Sequence, residues 1–217
     1  FKTLLMNLSG MASFHFLINR RFLRAAYPTL KARSPERLFV PPGMTMQVQF
    51  QILRQKPHQS PHWQSFDLEV EQGTTILDCL NQIKWEQDGS LNFRKNCRNT
   101  ICGSCSMRIN GRSALACKEN VSSETKLFTQ VNEAGIPVIT VAPMGNLPVI
   151  KDLIVDMQPF WNDLQRVEPY VSTKGRQVPE REFLQTPAER DQLNQMGNCI
   201  LCGACYSECN AKAVNPD

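Results

Sequence analysis

Apolar and polar residues alternate strictly in two stretches of the chain, residues 46–52 and 66–70. A period of two is typical of a strand that buries one face, because successive side chains point to opposite sides. Prolines at positions 57 and 61 place a turn between the two stretches. The pattern therefore predicts a hairpin, whose buried face is formed by Met46, Val48, Phe50, Ile52, Phe66, Leu68 and Val70.

The next segment changes to helical spacing. Thr74 or Thr75 can cap a helix there, and Asp78 stands three residues after Thr75, in capping-box position. Cys79 lies on this helix without a second cysteine at ligand spacing, so we expect it to be a buried core thiol. The predicted apolar stripe consists of Ile76, Leu77, Leu80 and Ile83.

Three further strands are predicted downstream. Residues 106–110 and 113–118 are joined at Asn110 and Gly111, a dipeptide typical of a two-residue hairpin turn. Residues 137–141 read PVITV and predict a closing strand.

Apolar residues return to helical spacing from residue 148 to residue 164. This spacing predicts a helical region, which Pro159 kinks or ends. Residues 168–187 are polar and rich in proline, which predicts an irregular surface connection, and residues 189–196 predict another helix.

A cysteine-rich loop separates the first helix from the Asn-Gly hairpin. Cys97, Cys102 and Cys105 follow C-x4-C-x2-C spacing, and Cys117 adds a fourth thiolate after a strand-sized gap. This is the plant-type [2Fe-2S] ligand pattern, in which Gly103 lets the backbone pass close to the cluster. A structural zinc site or buried free thiols are the alternatives, although zinc prefers paired C-x2-C hairpins. Together with the flanking elements, the loop predicts a β-grasp ferredoxin domain over residues 44–147.

A second cysteine set follows C-x2-C-x2-C-x3-C spacing, with Cys199, Cys202, Cys205 and Cys209. In two-cluster ferredoxins the first three cysteines of such a run hold one cubane cluster and the fourth ligates the other, while zinc is the alternative. A [4Fe-4S] cluster takes four thiolates. We therefore expect the remaining ligands on a C-terminal portion after residue 217, without which this region could not close its clusters.

Composition limits the compartment and the partners. The nine cysteines are an odd number at metal-ligand spacings, which favours a reducing compartment over a disulfide framework. The net charge of +4 is concentrated in residues 1–43, which contain seven Lys or Arg and one acid, so a nucleic-acid-binding face is not indicated. This leader resembles a mitochondrial transit peptide, or else a stretch translated from a start placed too early or a cloning remnant, and we expect it to lie outside the fold. No apolar run reaches the length of a membrane span.

Three stretches taken together resemble the iron-sulfur subunit of succinate dehydrogenase and fumarate reductase. They are FRKNCRNTICGSCSMRINGRSALAC, PVIKDLIVDM and CILCGACYSEC, followed by NPD, in the family's order over residues 46–217. The resemblance implies an α+β chain, with an N-terminal β-grasp [2Fe-2S] ferredoxin domain (44–147) and a partial all-α helical ferredoxin domain (148–217). It also implies [2Fe-2S] ligation by Cys97, Cys102, Cys105 and Cys117, [4Fe-4S] ligation by Cys199, Cys202 and Cys205, and [3Fe-4S] ligation by Cys209.

The same resemblance implies an electron-transfer subunit that does no bond chemistry itself. Its partners would be a flavoprotein subunit carrying FAD, one or more membrane anchor subunits and a quinone, in either direction of catalysis. Its place would be peripheral on the cytoplasmic face of a bacterial membrane, or alternatively on the matrix face of the mitochondrial inner membrane. An iron-sulfur subunit of another flavin or molybdenum oxidoreductase, and a zinc-stabilised interaction module, are the competing functions.

The sequence departs from this family near its second cysteine set. The family has proline after the fourth cysteine and an aromatic pair, including a quinone-contacting tryptophan, just before Asn-Pro-Asp; Asn210, Ala213 and Val214 stand at these places. The departures leave two alternatives, an acceptor site built differently or a different physiological acceptor.

Overall fold

The computed structural model describes residues 31–32, 45–57, 59–170, 172, 174–175, 177–194 and 196–215. Strand β1 (Lys31–Ala32) pairs antiparallel with the short strand β6 (Gln130–Val131). These two residues therefore join the fold, although they belong to the segment 1–43 that the sequence analysis places outside it. The rest of that segment lies outside the described residues.

Five strands form the main sheet, in the order β3-β2-β7-β4-β5. Strands β2 (Thr45–Arg54) and β3 (His62–Glu71) are the predicted hairpin, paired antiparallel over ten residues each. Strand β7 (Val138–Ala142) runs parallel to β2, and β4 (Ser106–Ile109) runs antiparallel to β7. Strand β5 (Arg112–Leu115) closes the other edge. This sheet-rich N-terminal part confirms the predicted α+β class.

A helix packs against the sheet and completes the core. Helix α1 (Ile76–Gln82) begins at the predicted capping box, in which Thr75 and Asp78 satisfy each other's backbone N–H groups. It continues as a single π-helical turn, Ile83–Gln87. Cys79 is fully buried in the core, as predicted. Helix α2 (Val121–Leu127) was not predicted; it is capped by Asn120 and buries Val121.

The predicted helical region from residue 148 is wrong in its first part. Strands β8 (Val149–Lys151) and β9 (Ile154–Val155) form a tight hairpin there. Its turn residue Asp152 has a φ of 49° and is fully buried, with Oδ1 accepting a hydrogen bond from Arg54 Nε at 2.9 Å. The long-range ion pair and the left-handed turn residue together exclude a continuous helix.

Helix formation starts only after this hairpin, with α3 (Gln158–Val167). Pro159 stands in its first turn, where a missing N–H costs little, so it begins the helix and does not end it. The remaining helical elements are α4 (Pro187–Gln192), shorter than the predicted 189–196, a 3-10 turn (Met196–Asn198), α5 (Ala204–Ser207) and α6 (Asn210–Val214). All these elements belong to one compact unit, Lys31–Asp217. Among the described helices, none is both long enough and apolar enough to cross a membrane.

Candidate functional site

The first two cysteines of the first set face each other across a tightly wound loop. Arg98 and Thr100 have φ values of 57° and 58°, which curl the backbone around the thiols. The backbone N–H groups of Asn99 and Cys102 donate to Cys97 Sγ at 3.2 and 3.4 Å, and the N–H of Cys97 lies 3.5 Å from Cys102 Sγ. The loop thus directs its amide dipoles inward, towards sulfur atoms that would carry negative charge as thiolates.

A side-chain donor adds to this effect at Cys102. The hydroxyl of Ser104 lies 3.1 Å from Cys102 Sγ. This hydrogen bond, followed by backbone N–H groups, lowers the pKa of the Cys102 thiol to about 6. The thiolate is the form that binds metal, so the loop favours the state of Cys102 that ligation requires.

Cys105 and Cys117 form the other pair. The turn at Asn110 and Gly111 has φ values of 49° and 82°, as a two-residue hairpin requires, and it returns the chain to the loop. The N–H of Ala116 donates to the carbonyl oxygen of Cys105 at 3.1 Å. Burial raises the pKa of the Cys105 thiol to about 11, and the negative charge of a neighbouring Cys117 thiolate raises it too. Because β5 ends at residue 115, Cys117 lies in the following turn and not on the predicted strand.

The donor set of this loop is therefore two pairs of thiols. Each iron of a binuclear cluster takes two protein thiolates, so pairs fit this cofactor in number and chemistry. Within the described residues, no three His, Cys, Asp or Glu side chains surround a common point as ligands of a single ion would.

The second cysteine set lies on a short loop and the helix after it. Cys199 and Cys205 are exposed, while Cys202 and Cys209 are half-buried. Gly203 precedes helix α5 with a φ of 77°, so the chain turns sharply between the second and third cysteines. Cys199 and Cys202 thus lie on irregular backbone, and Cys205 lies in the short helix that follows. One segment of seven residues carries all three, as the cysteine run of a cubane cluster does.

The two cysteine sets meet at Gly103. A Cβ atom added to Gly103 would lie 2.8 Å from Cys202 Cβ and 2.9 Å from Cys202 Cα, closer than real side chains approach. Gly103 also has a φ of 69°, a conformation that glycine adopts readily. Any larger residue would push the first loop away from the second.

A cavity of about 350 Å³ lies beside this contact. Its wall includes Cys102 and Cys202, one residue from each cysteine set, and the side chains of three methionines, Met107, Met144 and Met157. The cavity beside Cys102 and Cys202 therefore has a partly apolar wall, which also includes the polar side chains of Arg94, Ser104 and Ser106.

Two elements of this site were missed from the sequence. Ser104 could have been recognised, because a hydroxyl between two ligand cysteines is a potential donor to sulfur. Asn146 carried no local signal, because its amide reaches the carbonyl groups of Tyr206 and Cys209, which are 60 and 63 residues away. Cys79 takes no part in either set, and burial raises the pKa of its thiol to about 12.

The chain is similar to known iron-sulfur proteins. Residues 49–162 match the family described as 2Fe-2S iron-sulfur cluster binding domain. The mitochondrial succinate dehydrogenase (ubiquinone) iron-sulfur subunit 1 of Oryza sativa subsp. japonica is 39% identical over 163 residues, which is 74% of this chain and 54% of that protein. The succinate dehydrogenase iron-sulfur subunit of Coxiella burnetii is 36% identical over 172 residues, which is 77% of this chain and 68% of that protein.

The chain is also similar to a chain of known structure. A chain of the Mycobacterium smegmatis Sdh1 complex in the apo form matches with a TM-score of 0.64 and 25% identity, over 76% of this chain and 64% of that one. The chain spans about half the length of the plant relatives that it matches. On the family match to residues 49–162 and the similarity to these curated proteins, the chain belongs to the family of succinate dehydrogenase iron-sulfur subunits.

Proposed function

We propose that this chain is the electron-transfer subunit of a succinate dehydrogenase or fumarate reductase. In this role it passes electrons between an FAD-containing flavoprotein subunit and quinone at membrane anchor subunits, through [2Fe-2S], [4Fe-4S] and [3Fe-4S] clusters. It is peripheral to the membrane, on the cytoplasmic face in a bacterium or on the matrix face in a mitochondrion. Family membership and two cysteine sets at cluster-ligand spacing support this function.

The cysteines are proposed to hold the clusters as follows. Cys97 and Cys102 take one iron of the [2Fe-2S] cluster, because the backbone N–H of each contacts the sulfur atom of the other. Cys105 and Cys117 take the other iron, because the hydrogen bond from Ala116 N–H to the Cys105 carbonyl brings their backbones together. Cys199, Cys202 and Cys205 are [4Fe-4S] ligands, and Cys209 is a [3Fe-4S] ligand, within a helical ferredoxin domain that follows the hairpin β8–β9.

The observation that carries the proposal is the contact between Gly103 and Cys202. It joins the backbone of one proposed cluster loop to a proposed ligand of the next cluster, with no side chain between them. The rate of electron transfer between two cofactors falls steeply as the distance between them grows. The protein contributes by holding the cofactors at a short distance. A direct contact between two ligand loops is what a chain of redox centres requires.

The residues around the first cysteine set also tune the reduction potential of the [2Fe-2S] cluster. The bound cluster supplies a site that accepts and releases one electron at a time. Backbone N–H groups and the Ser104 hydroxyl donate to the ligand sulfur atoms and therefore stabilise the more negative, reduced state.

The test is iron, zinc and sulfide analysis with low-temperature EPR on the full-length protein, purified anaerobically with its partner subunits. Cys117→Ser is expected to alter or abolish the reduced [2Fe-2S] signal, and Cys202→Ser to affect the [4Fe-4S] signal first. Cys79→Ala is the matched control, since this buried thiol lies outside both sets, and it is expected to leave both signals in place. Stoichiometric zinc without an iron signal in the unmodified protein would overturn the proposal.

A further inference from the structure

The turn between strands β7 and β8 holds the end of helix α5. Asn146, with a φ of 58°, directs its side-chain amide at three carbonyl oxygens. Nδ2 donates to Tyr206 O and Cys209 O at 2.9 Å each and to Ser207 O at 3.3 Å. Tyr206 and Ser207 are the last residues of α5, and Cys209 is the N-cap residue of α6, so Asn146 holds the junction of the two short helices from a distant part of the chain.

Gly145, the residue before Asn146, lets the backbone of the turn lie directly against Ser207. The N–H of Gly145 donates to Ser207 Oγ at 2.8 Å, and a Cβ atom on Gly145 would lie 2.8 Å from Ser207 O. Ser207 is buried, and its hydroxyl also lies 2.6 Å from the hydroxyl of Ser113 on β5. Every residue larger than glycine at position 145 would displace the segment that leads to Cys209.

A charged contact reinforces the same junction. Glu208 Oε1 accepts hydrogen bonds from the N–H and the hydroxyl of Ser113, at 3.0 and 2.7 Å, and lies 3.5 Å from Arg108 Nε. Strands β4 and β5 carry Arg108 and Ser113, and the same hairpin carries the chain from Cys105 to Cys117. The helix that follows Cys202 is therefore fastened to the hairpin that completes the first cysteine set.

We propose that Asn146 and Gly145 are positioning residues that set the separation of the proposed [2Fe-2S] and [4Fe-4S] sites. Gly103 contacts the second cysteine of this set, Cys202, and the turn 145–146 holds residues 206–209, which end at the fourth cysteine. The second set has its own thiols, but its place relative to the first depends on this turn. The inference rests on the proposed function, because it concerns the electron step between the two sites.

The experiment compares Asn146→Ala and Gly145→Ala with matched controls in the full-length, cluster-loaded complex. Asn132→Ala removes an asparagine that also holds a turn, by accepting the N–H groups of Ala134 and Ile136. Gly89→Ala adds a methyl group where the nearest atom is 3.7 Å away. The readouts are iron and sulfide content, the amplitude of the reduced [2Fe-2S] EPR signal, and the microwave power at which that signal saturates.

Power saturation reports the magnetic influence of the second cluster on the first, and this influence weakens as they separate. Both turn variants are expected to keep the [2Fe-2S] amplitude but to saturate at lower power, with a several-fold fall in quinone reduction. Dye reduction at the flavoprotein is expected to stay unchanged. Both controls are expected to match the unmodified protein in every readout.

Two results separate the inference from the function on which it rests. Unchanged saturation and quinone reduction in both turn variants, with all clusters present, would overturn the positioning role alone. Absence of cluster iron from the unmodified protein would overturn both. If Asn146→Ala does not retain the second cluster, Ser207→Ala decides, because it removes the hydroxyl that accepts the N–H of Gly145 and leaves the backbone in place. A smaller shift in the same direction supports the inference, and no shift refutes it.

Discussion

Replacing Asp152 with alanine is expected to destabilise the fold more than any surface substitution. Asp152 and Arg54 form an ion pair in which only 1% and 6% of the side chains are exposed. Asp152 also accepts the N–H groups of Asn92 at 3.0 Å and Gln55 at 3.3 Å. Removing the carboxylate therefore leaves both a buried cation and backbone donors without one of their acceptors.

The loss of unfolding free energy depends on the contacts that Arg54 keeps in the variant. Breaking a buried ion pair by removing one partner costs about 3 to 5 kcal/mol. Arg54 keeps contacts with Asp88 at 2.6 Å and with Ser90 at 2.9 Å, so the lower end, about 3 kcal/mol, is expected. With a urea dependence of about 2 kcal/mol per molar, the unfolding midpoint should fall by about 1.5 M.

Equilibrium urea unfolding, followed by far-ultraviolet circular dichroism, measures this shift. Asp67→Ala is the matched control, because the exposed Asp67 carboxylate accepts a single side-chain hydrogen bond, from Gln49 on the neighbouring strand. It is expected to change stability by less than about 0.5 kcal/mol. Equal unfolding midpoints for the two variants would refute the view that the ion pair between Arg54 and Asp152 holds the β8–β9 hairpin against the five-stranded sheet.

Three further outcomes are expected. Ser104→Ala should lower the [2Fe-2S] potential by tens of millivolts in a redox titration, because a donor to Cys102 Sγ is lost, while Ser104→Thr should largely preserve it. Hydrogen bonds from Ser90 hold the pKa of Asp88 below its usual range, so the stability from Asp88 is present above about pH 4 and is lost as the pH falls below that; Asp88→Asn should flatten this part of a stability-against-pH curve. Thr75→Ala should cost about 1 kcal/mol in thermal or urea unfolding and Thr75→Ser much less, and equal losses would contradict a capping role.

The sheet could be predicted because its signals are local. Val48, Phe50 and Ile52 alternate with glutamines, and in the structure each is fully buried. The capping box at Thr75 and the turn at Gly111 also depend only on residues within a few positions of each other. The spacing of the first cysteine set also placed Cys97 and Cys102 on one loop, where the backbone N–H of each contacts the sulfur atom of the other.

The hairpin β8–β9 could not be predicted in this way. Its apolar residues recur near helical spacing, but Asp152 is held in a left-handed conformation by Arg54, 98 positions earlier in the chain. Helix α2 was missed for the opposite reason. Its seven residues include only two apolar ones, Val121 and Leu127, so they show no periodic stripe, and the main signal is the capping side chain of Asn120.

The two cysteine sets differ in which parts of the chain position them. The first set is arranged by its own loop and by the hairpin β4–β5, both within the sheet domain. The second set packs on a small apolar cluster that includes Phe160 and Tyr206, and Asn146 from the sheet domain holds the junction of its two short helices. Changes at the turn 145–146 should therefore disturb the second site and leave the first intact. Changes at Gly103 should disturb both, because this residue belongs to the first loop and touches Cys202. The five-stranded sheet and its loops thus supply the contacts that position the second cysteine set.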